Sequence, residues 1–434
     1  MRFCMSIRSR RSTSAKVGAA ASAATLLLSL TTVPAFAVDN SVDNEVSPTP
    51  ADPVEGAVAP GEKVDAQQSL AQMSSEALTT LLQTNSWTQS SAPTGGPQMD
   101  PADRPKAQPA KVKVGEMAPG YEEQLAYFQH HVADHDNVVN AWAYSPSMDA
   151  VVPFLIIRPK DPAKRDNAPT LYALNGLDAG DGWFANTNAI DFYSDKGINV
   201  VMPLTGAFSY YADWIKSDQN TDEQNKRQWE TFLTRELPGP LESELKANGK
   251  RAIMGVSMSA TSVLNAAQHN PGLYNGVASI SGCASTSSTI GKLAVDQVLS
   301  RAEDGSKYVN MFGDPTGEYA RYNDPMKNPE KFTPQHQGED FKLFLSAPSG
   351  LAGAESLTTT NPMFPGNKEA AENFVIAGGL IDFPANLCTH AFDLRLKSAG
   401  ANPETKYYPT GTHQWGVFSR AVEDSWPTLQ AALF

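Results

Sequence analysis

Residues 250–271, KRAIMGVSMSATSVLNAAQHNP, decide how the rest of the chain is read. The run from Arg251 to Gly255 predicts a short buried strand. From Ser259 onward the spacing predicts a helix that stops at the Asn270-Pro271 pair. Between them, Gly255-Val256-Ser257-Met258-Ser259 leaves room only for a sharp turn with Ser257 at its tip. A serine presented in this way needs small residues two positions to either side, because the strained turn brings neighbouring backbone into contact. Gly255 meets that need, and Ser259 stands where a second glycine is usual but is still small. In this strand-turn-helix setting Ser257 is a candidate nucleophile, and the Met258 backbone N–H a candidate oxyanion donor.

Outward from this motif, short β-branched or aromatic runs alternate with longer amphipathic ones. VVPFLIIRP, TLYALN, INVVMPL, RAIMGVS, GVASISG and FKLFLSA are expected strands; WETFLTRELPGPLESELKAN, SATSVLNAAQHNP, THAFDLRLKSAG and EDSWPTLQAALF are expected helices. Such alternation predicts an α/β domain with a mostly parallel central sheet flanked by helices. With the serine turn it predicts an α/β-hydrolase fold, which carries its chemistry at the carboxyl ends of the strands.

A serine nucleophile needs a base, and in this fold acid and histidine follow the serine in that order. Beyond Ser257 stand His269, His336, His390 and His413. His269 lies in the helix after the turn and is carried away from the strand ends. His336 sits in a polar, Pro-containing stretch, and His390 begins an expected helix. His413, in YYPTGTHQWGVF, comes on a Gly/Thr-rich loop before the final helix, where this architecture presents its base. For the acid, Glu339 and Asp340 share the polar stretch of His336, leaving Asp382 and Asp393. Asp382 is expected at an element end before Pro384, and Asp393 on a surface face of a helix, which favours Asp382.

The ends of the chain carry other information. Residues 1–37 combine a basic start (Arg2, Arg8, Arg10, Arg11, Lys16), an apolar stretch and Ala35-Phe36-Ala37, the pattern of a secretory signal cleaved after Ala37. Its removal takes the formal charge from −13 to −18, an acidic balance that gives no electrostatic footprint for nucleic acid. Export also leaves Cys283 and Cys388 as a pair, expected to form one disulfide, with two buried free thiols as the alternative. Residues 38–115 read as a Pro/Ala/Ser-rich linker with a short helix near 66–87, and 116–434 as the catalytic domain, its regular patterning clear from about Asn137. No metal-ligand spacing and no phosphate loop appears, so neither metal nor cofactor is expected.

From SPSM at Ser145 to the end, the chain resembles the corynebacterial mycoloyltransferases and the antigen 85 proteins. LNGLDAGDGW, INVVMPLTGAFSYYADW, WETFLTRELP, GVSMSA and GTHQW match in order and at compatible spacing, and no catalytic rule demands WETFLTRELP. The resemblance implies transfer of a mycolic acid from a trehalose ester, the glycolipid donor, to a hydroxyl acceptor at the cell envelope. Trehalose, arabinogalactan and protein hydroxyls are chemically equivalent acceptors. It supports Ser257 and His413. Anchoring the family's Glu-before-Phe segment on Phe392 puts Asp382 at the acid's position, one methylene shorter than the family's Glu.

The same resemblance assigns the second oxyanion donor to the Leu177 N–H, in LYALNGLDAGDGWF (171–184). There the family's trehalose binders show Asp and Arg where this chain has Asn175 and Asp178, so both are expected to line an altered acceptor rim, with Trp415 near the base. Two other functions use part of this pattern. A secreted carboxylesterase or lipase would share the triad without needing the remaining segments. A non-catalytic envelope-binding protein would lose Ser257 or His413, and this chain has both.

Overall fold

The computed structural model describes residues 90–434, apart from 124, 127–131, 181, 217–226, 303 and 357–367. The signal segment, the expected helix at 66–87 and most of the expected linker lie outside the described residues. Nine strands form one sheet: β1 (Lys111–Val114), β2 (Val138–Ser145), β3 (Ala150–Ile157), β4 (Thr170–Leu174), β5 (Asn199–Pro203), β6 (Arg251–Val256), β7 (Gly276–Ile280), β8 (Lys342–Pro348) and β9 (Glu404–Tyr408). Their order is β1-β2-β3-β5-β4-β6-β7-β8-β9. Pairing is antiparallel from β1 through β5 and parallel from β5 to β9, the mostly parallel α/β sheet expected.

The principal helices are α1 (Ala189–Ser194), α2 (Pro238–Leu245), α3 (Met258–His269), α4 (Thr289–Leu299), α5 (Lys368–Ala399) and α6 (Trp415–Leu433). Strand periodicity divides the core into two layers. On β4, Tyr172 and Leu174 join Phe232, Leu241, Val263, Leu264 and Phe392 on one face of the sheet. Leu171 and Ala173 point the other way, toward Ile190, Tyr193, Val417, Val422 and Leu429. Central strands buried on both faces explain the near-continuous apolar runs in the sequence. After β4 the chain goes first to β5 on one side and then to β6 on the other, so the carboxyl ends of β4 and β6 flank the crevice where such sheets place ligands.

Several expected boundaries move. β1 and β9 were not among the expected strands, because KVKV and ETKYY are half-exposed edges whose pattern lacks a buried run, and neither was β2, which lies between β1 and β3 and whose half-buried residues alternate with buried ones. THAFDLRLKSAG is only the last third of α5, a 32-residue helix that continues through Pro384. WETFLTRELPGPLESELKAN is interrupted by a π-helical turn at Phe232–Glu236, after which Pro238 opens α2 at a position that needs no N–H.

Contacts with the rest of the domain already begin at Ser90, within the stretch read as linker. Ser90 forms a bridge with Ser288, and the Ser91 N–H donates to the Ser287 carbonyl at 2.8 Å. The N–H groups of Thr94 and Gly95 donate to the Asp314 carboxylate at 2.7 and 2.8 Å. Arg104 donates to Glu230, which is 4% exposed and also faces His269 Nδ1 at 3.0 Å. Glu236, fully buried, accepts from Ser145 Oγ at 2.6 Å and from the Ser147 N–H at 3.0 Å. WETFLTRELP therefore has a structural reason. One of its acids holds the N-terminal strap and the end of α3, and another holds the SPSM turn.

Removing one member of a buried, hydrogen-bonded charge pair costs about 3–5 kcal/mol, because the other charge is left without a partner. A chain starting at Glu116 lacks both Arg104 and β1. It is expected to melt several degrees below a chain starting at Ser90 when the two are compared by calorimetry at neutral pH. Equal melting temperatures would show that the strap contributes nothing.

Candidate active site

Ser257 follows β6 with φ 57° and ψ −119°, a region that L-residues avoid, and its N–H donates to the Ile280 carbonyl at 2.9 Å. Only small neighbours tolerate this turn. A Cβ on Gly255 would lie 2.5 Å from the Ser259 carbonyl oxygen, and one on Gly282 would lie 2.7 Å from the Ser257 carbonyl oxygen. Ser259 is more than a small substitute for glycine. Its Oγ accepts from the Val256 N–H at 2.9 Å and lies 3.1 Å from the carbonyl oxygens of Val256 and Leu174, so it joins the turn to the end of β4.

His413 reaches the serine from the loop between β9 and α6. Its Nε2 is 2.7 Å from Ser257 Oγ, and its Nδ1 is 2.9 Å from Asp382 Oδ1. The Phe418 ring packs edge-on against the imidazole at 5.1 Å. Asp382 is fully buried, not at an element end as expected but inside α5, two residues before Pro384. Helix α5 approaches the histidine loop so closely that side chains are excluded. A Cβ on Gly378 would lie 2.8 Å from the His413 nitrogen, and one on Gly379 would lie 2.5 Å from the Gly350 carbonyl oxygen. The glycine pair inside an otherwise helical pattern was the sequence signal for this contact.

The other candidates are engaged elsewhere. Asp393 is 6% exposed rather than on a surface face, and it accepts from Lys397 at 2.8 Å and from Thr405 at 3.0 Å across to β9. His390 stacks on Tyr407, and His269 lies between Glu230 and the Tyr322 carbonyl. Cys283, just past β7, and Cys388 on α5 are joined by a disulfide with Cα atoms 5.3 Å apart. That bond ties the helix carrying Asp382 to the loop whose Gly282 packs under Ser257.

The loop after β4 lies beside the serine, with Gly176 positioned so that a Cβ would touch the Ser257 side chain at 3.7 Å. Asp178 is exposed; protein around the carboxyl still raises its pKa by desolvation, against the lowering pull of Arg301 and His413. Asn175 does not line a rim. It is 1% exposed, and its Nδ2 donates to the carbonyls of Gly180 at 2.8 Å and Pro203 at 3.1 Å. Trp415 is half-buried and packs against Trp183 and Phe418, on the spot a Gly182 side chain would occupy, so it forms the wall behind this loop. Among the described residues, no cluster of three or more His, Cys, Asp or Glu could hold a metal ion.

Such an arrangement can raise the nucleophilicity of a serine hydroxyl through an oriented imidazole. Comparison with known proteins points to an acyltransferase or esterase-type enzyme. Residues 145–343 match the family described as putative esterase. The chain is 38% identical over 280 residues to diacylglycerol acyltransferase/mycolyltransferase Ag85A of Mycobacterium leprae, covering 62% of this chain and 76% of that protein. The protein of the same name from Mycobacterium tuberculosis H37Rv is 30% identical over 272 residues, covering 62% and 74%. In structure, the chain resembles Mycobacterium tuberculosis MPT51 (FbpC1) with a TM-score of 0.53 and 19% identity, over 76% of this chain and all of that one, a likeness of fold.

Burial raises the Asp382 carboxyl above its ordinary value of 3.8, and the facing His413 offsets this only in part. In the unfolded chain the acid ionises near that ordinary value. Between it and the higher folded value the folded state holds the extra proton, so this group's contribution to stability falls as pH rises through that window. Asp382→Asn is therefore expected to melt above the wild type at pH 7, with the advantage vanishing below about pH 4. Its turnover should fall by about 10³–10⁴, since the imidazole loses the acceptor that fixes its tautomer. A variant less stable than wild type at pH 7 would contradict the assigned direction.

Proposed function

The chain belongs to the Ag85 family of diacylglycerol acyltransferase/mycolyltransferases, and on that premise we propose that it is an exported serine acyltransferase that moves a mycoloyl chain from trehalose monomycolate to a hydroxyl acceptor. The observation that carries this reading is the continuous hydrogen-bonded line from Ser257 Oγ through His413 to Asp382. His413 Nε2 takes the serine proton as Oγ attacks the donor ester carbonyl. The backbone N–H groups of Met258 and Leu177 receive the oxyanion. Collapse of the tetrahedral intermediate expels the trehalose hydroxyl, which takes the proton back from the imidazolium, and leaves the acyl chain on Ser257. An acceptor hydroxyl then gives its proton to His413, attacks the ester and leaves as the acylated product, with Ser257 restored.

Asp382 orients the imidazole and balances its charge. Its carboxylate is one methylene shorter than a glutamate, and the glycine-mediated approach of α5 to the histidine loop makes the 2.9 Å bond with that shorter reach. Trehalose, arabinogalactan and protein hydroxyls are the acceptors that fit this chemistry. The signal at 1–37 supports delivery to the cell envelope, with cleavage after Ala37. The match to the putative esterase family favours one second reading, in which water is the acceptor and the protein is a carboxylesterase.

Purified protein incubated with trehalose monomycolate is expected to gain a mycoloyl mass on the peptide containing Ser257, and to lose it on addition of trehalose with formation of the diester. Full activity in Ser257→Ala, with no adduct in the wild type, would overturn the mechanism. An adduct discharged only to free acid would select the esterase.

A further inference from the structure

One of the two oxyanion donors is fixed by regular structure: the Met258 N–H opens helix α3. The other, Leu177, lies in 175–182, a stretch with three glycines in which Ala179 and Gly180 both hold positive φ, at 57° and 81°. Free in solution such a loop would sample many positions for its N–H groups, and an oxyanion hole loses its value if its donors must reorganise. The structure clamps it at four places. The Leu174 carbonyl accepts from Trp183 Nε1 and faces Ser259 Oγ, each at 3.1 Å. The Leu177 carbonyl accepts from the Phe208 N–H at 2.7 Å, and the Gly180 N–H donates to the Leu204 carbonyl at 3.2 Å. Asn175 closes the loop on itself, with Nδ2 on the Gly180 and Pro203 carbonyls.

The chemistry of that last clamp admits only a donor. Two carbonyl oxygens converge on one side-chain atom; an amide nitrogen has two protons for them, whereas an amide or carboxylate oxygen would face both with repulsion. The side chain is 1% exposed, so it is not offered to a sugar. We propose that Asn175 is a positioning residue: by tying the start of the loop to Gly180 and to the end of β5, it holds the Leu177 N–H where the oxyanion forms. In this chain the position expected to read the acceptor is therefore used to build the oxyanion hole, and acceptor recognition falls to exposed groups such as Asp178. This inference rests on the Ser257 acyl-enzyme reading.

The test compares Asn175→Asp, which keeps the shape and removes the donors, with Asn175→Ala and with Ser257→Ala. Burst kinetics on a p-nitrophenyl ester measure acylation of Ser257, transfer from trehalose monomycolate gives kcat and KM, and melting curves report folding. The expected result is an acylation rate and kcat lower by about 10²–10³ in both Asn175 variants, as for loss of one oxyanion donor, with KM within about threefold and folding retained. Asn175→Ala decides the matter if the Asp variant does not fold. An acylation rate close to wild type, a change confined to KM, or failure of both variants to fold would each overturn the proposal. Activity surviving in Ser257→Ala would instead remove the acyl-enzyme reading beneath it.

Discussion

A serine backbone held at φ 57° and ψ −119° is the constraint on which the rest of the structure depends. Backbone in so sparsely populated a region costs about 1–3 kcal/mol and persists only where its surroundings over-determine it. Here they do so through size. Gly255 and Gly282 leave no room for a Cβ between β6, β7 and the first turn of α3, and Ser259 fills the remaining space with a hydroxyl that binds backbone on both sides. The result is a half-buried serine at the carboxyl end of β6, its Oγ 2.7 Å from His413 Nε2, while the strand behind it is buried.

Each further part of the site is delivered to that fixed point by a close approach. The imidazole arrives on a loop pressed against α5, and the carboxylate arrives from inside α5 itself. Both depend on glycines at 378 and 379 that let a helix pass within backbone contact of the loop. The Cys283–Cys388 bond links this helix to the loop under the serine, across 105 residues of sequence. Such a crosslink restricts the relative motion of the two segments that carry Asp382 and Ser257. A site assembled from distant segments thus gains the rigidity that catalysis by preorganised groups requires.

WETFLTRELP, a segment without catalytic chemistry, ties distant parts of the chain together through two buried carboxylates. Glu230 lies buried with Arg104 and His269 against it, and Glu236 lies buried with Ser145 and the Ser147 N–H. Buried carboxylates are tolerated only with their partners present, so the residues must occur together. In the loop after β4 the polar side chains point two ways. There Asn175 turns inward to hold carbonyls, and Asp178 remains exposed beside the crevice.

The sequence by itself determined the central strands of the sheet, the serine turn and the histidine that faces it. These are local matters: strand periodicity, small residues at fixed offsets and a Gly/Thr-rich loop before a helix all express short-range sterics. It ranked Asp382 above Asp393 but put it at an element end, because a Pro two residues on reads as a stop. Only packing shows a helix continuing through Pro384. Edge strands β1 and β9 and the strap at 90–110 were invisible for a related reason, since half-exposed or polar chain becomes ordered through hydrogen bonds to distant residues such as Asp314 and Glu236. Asn175 is the sharpest case. Whether an amide faces a ligand or two carbonyls depends on where Gly180 and Pro203 lie in space, and that is fixed by the turn of the loop and the neighbouring strand, which no local pattern encodes.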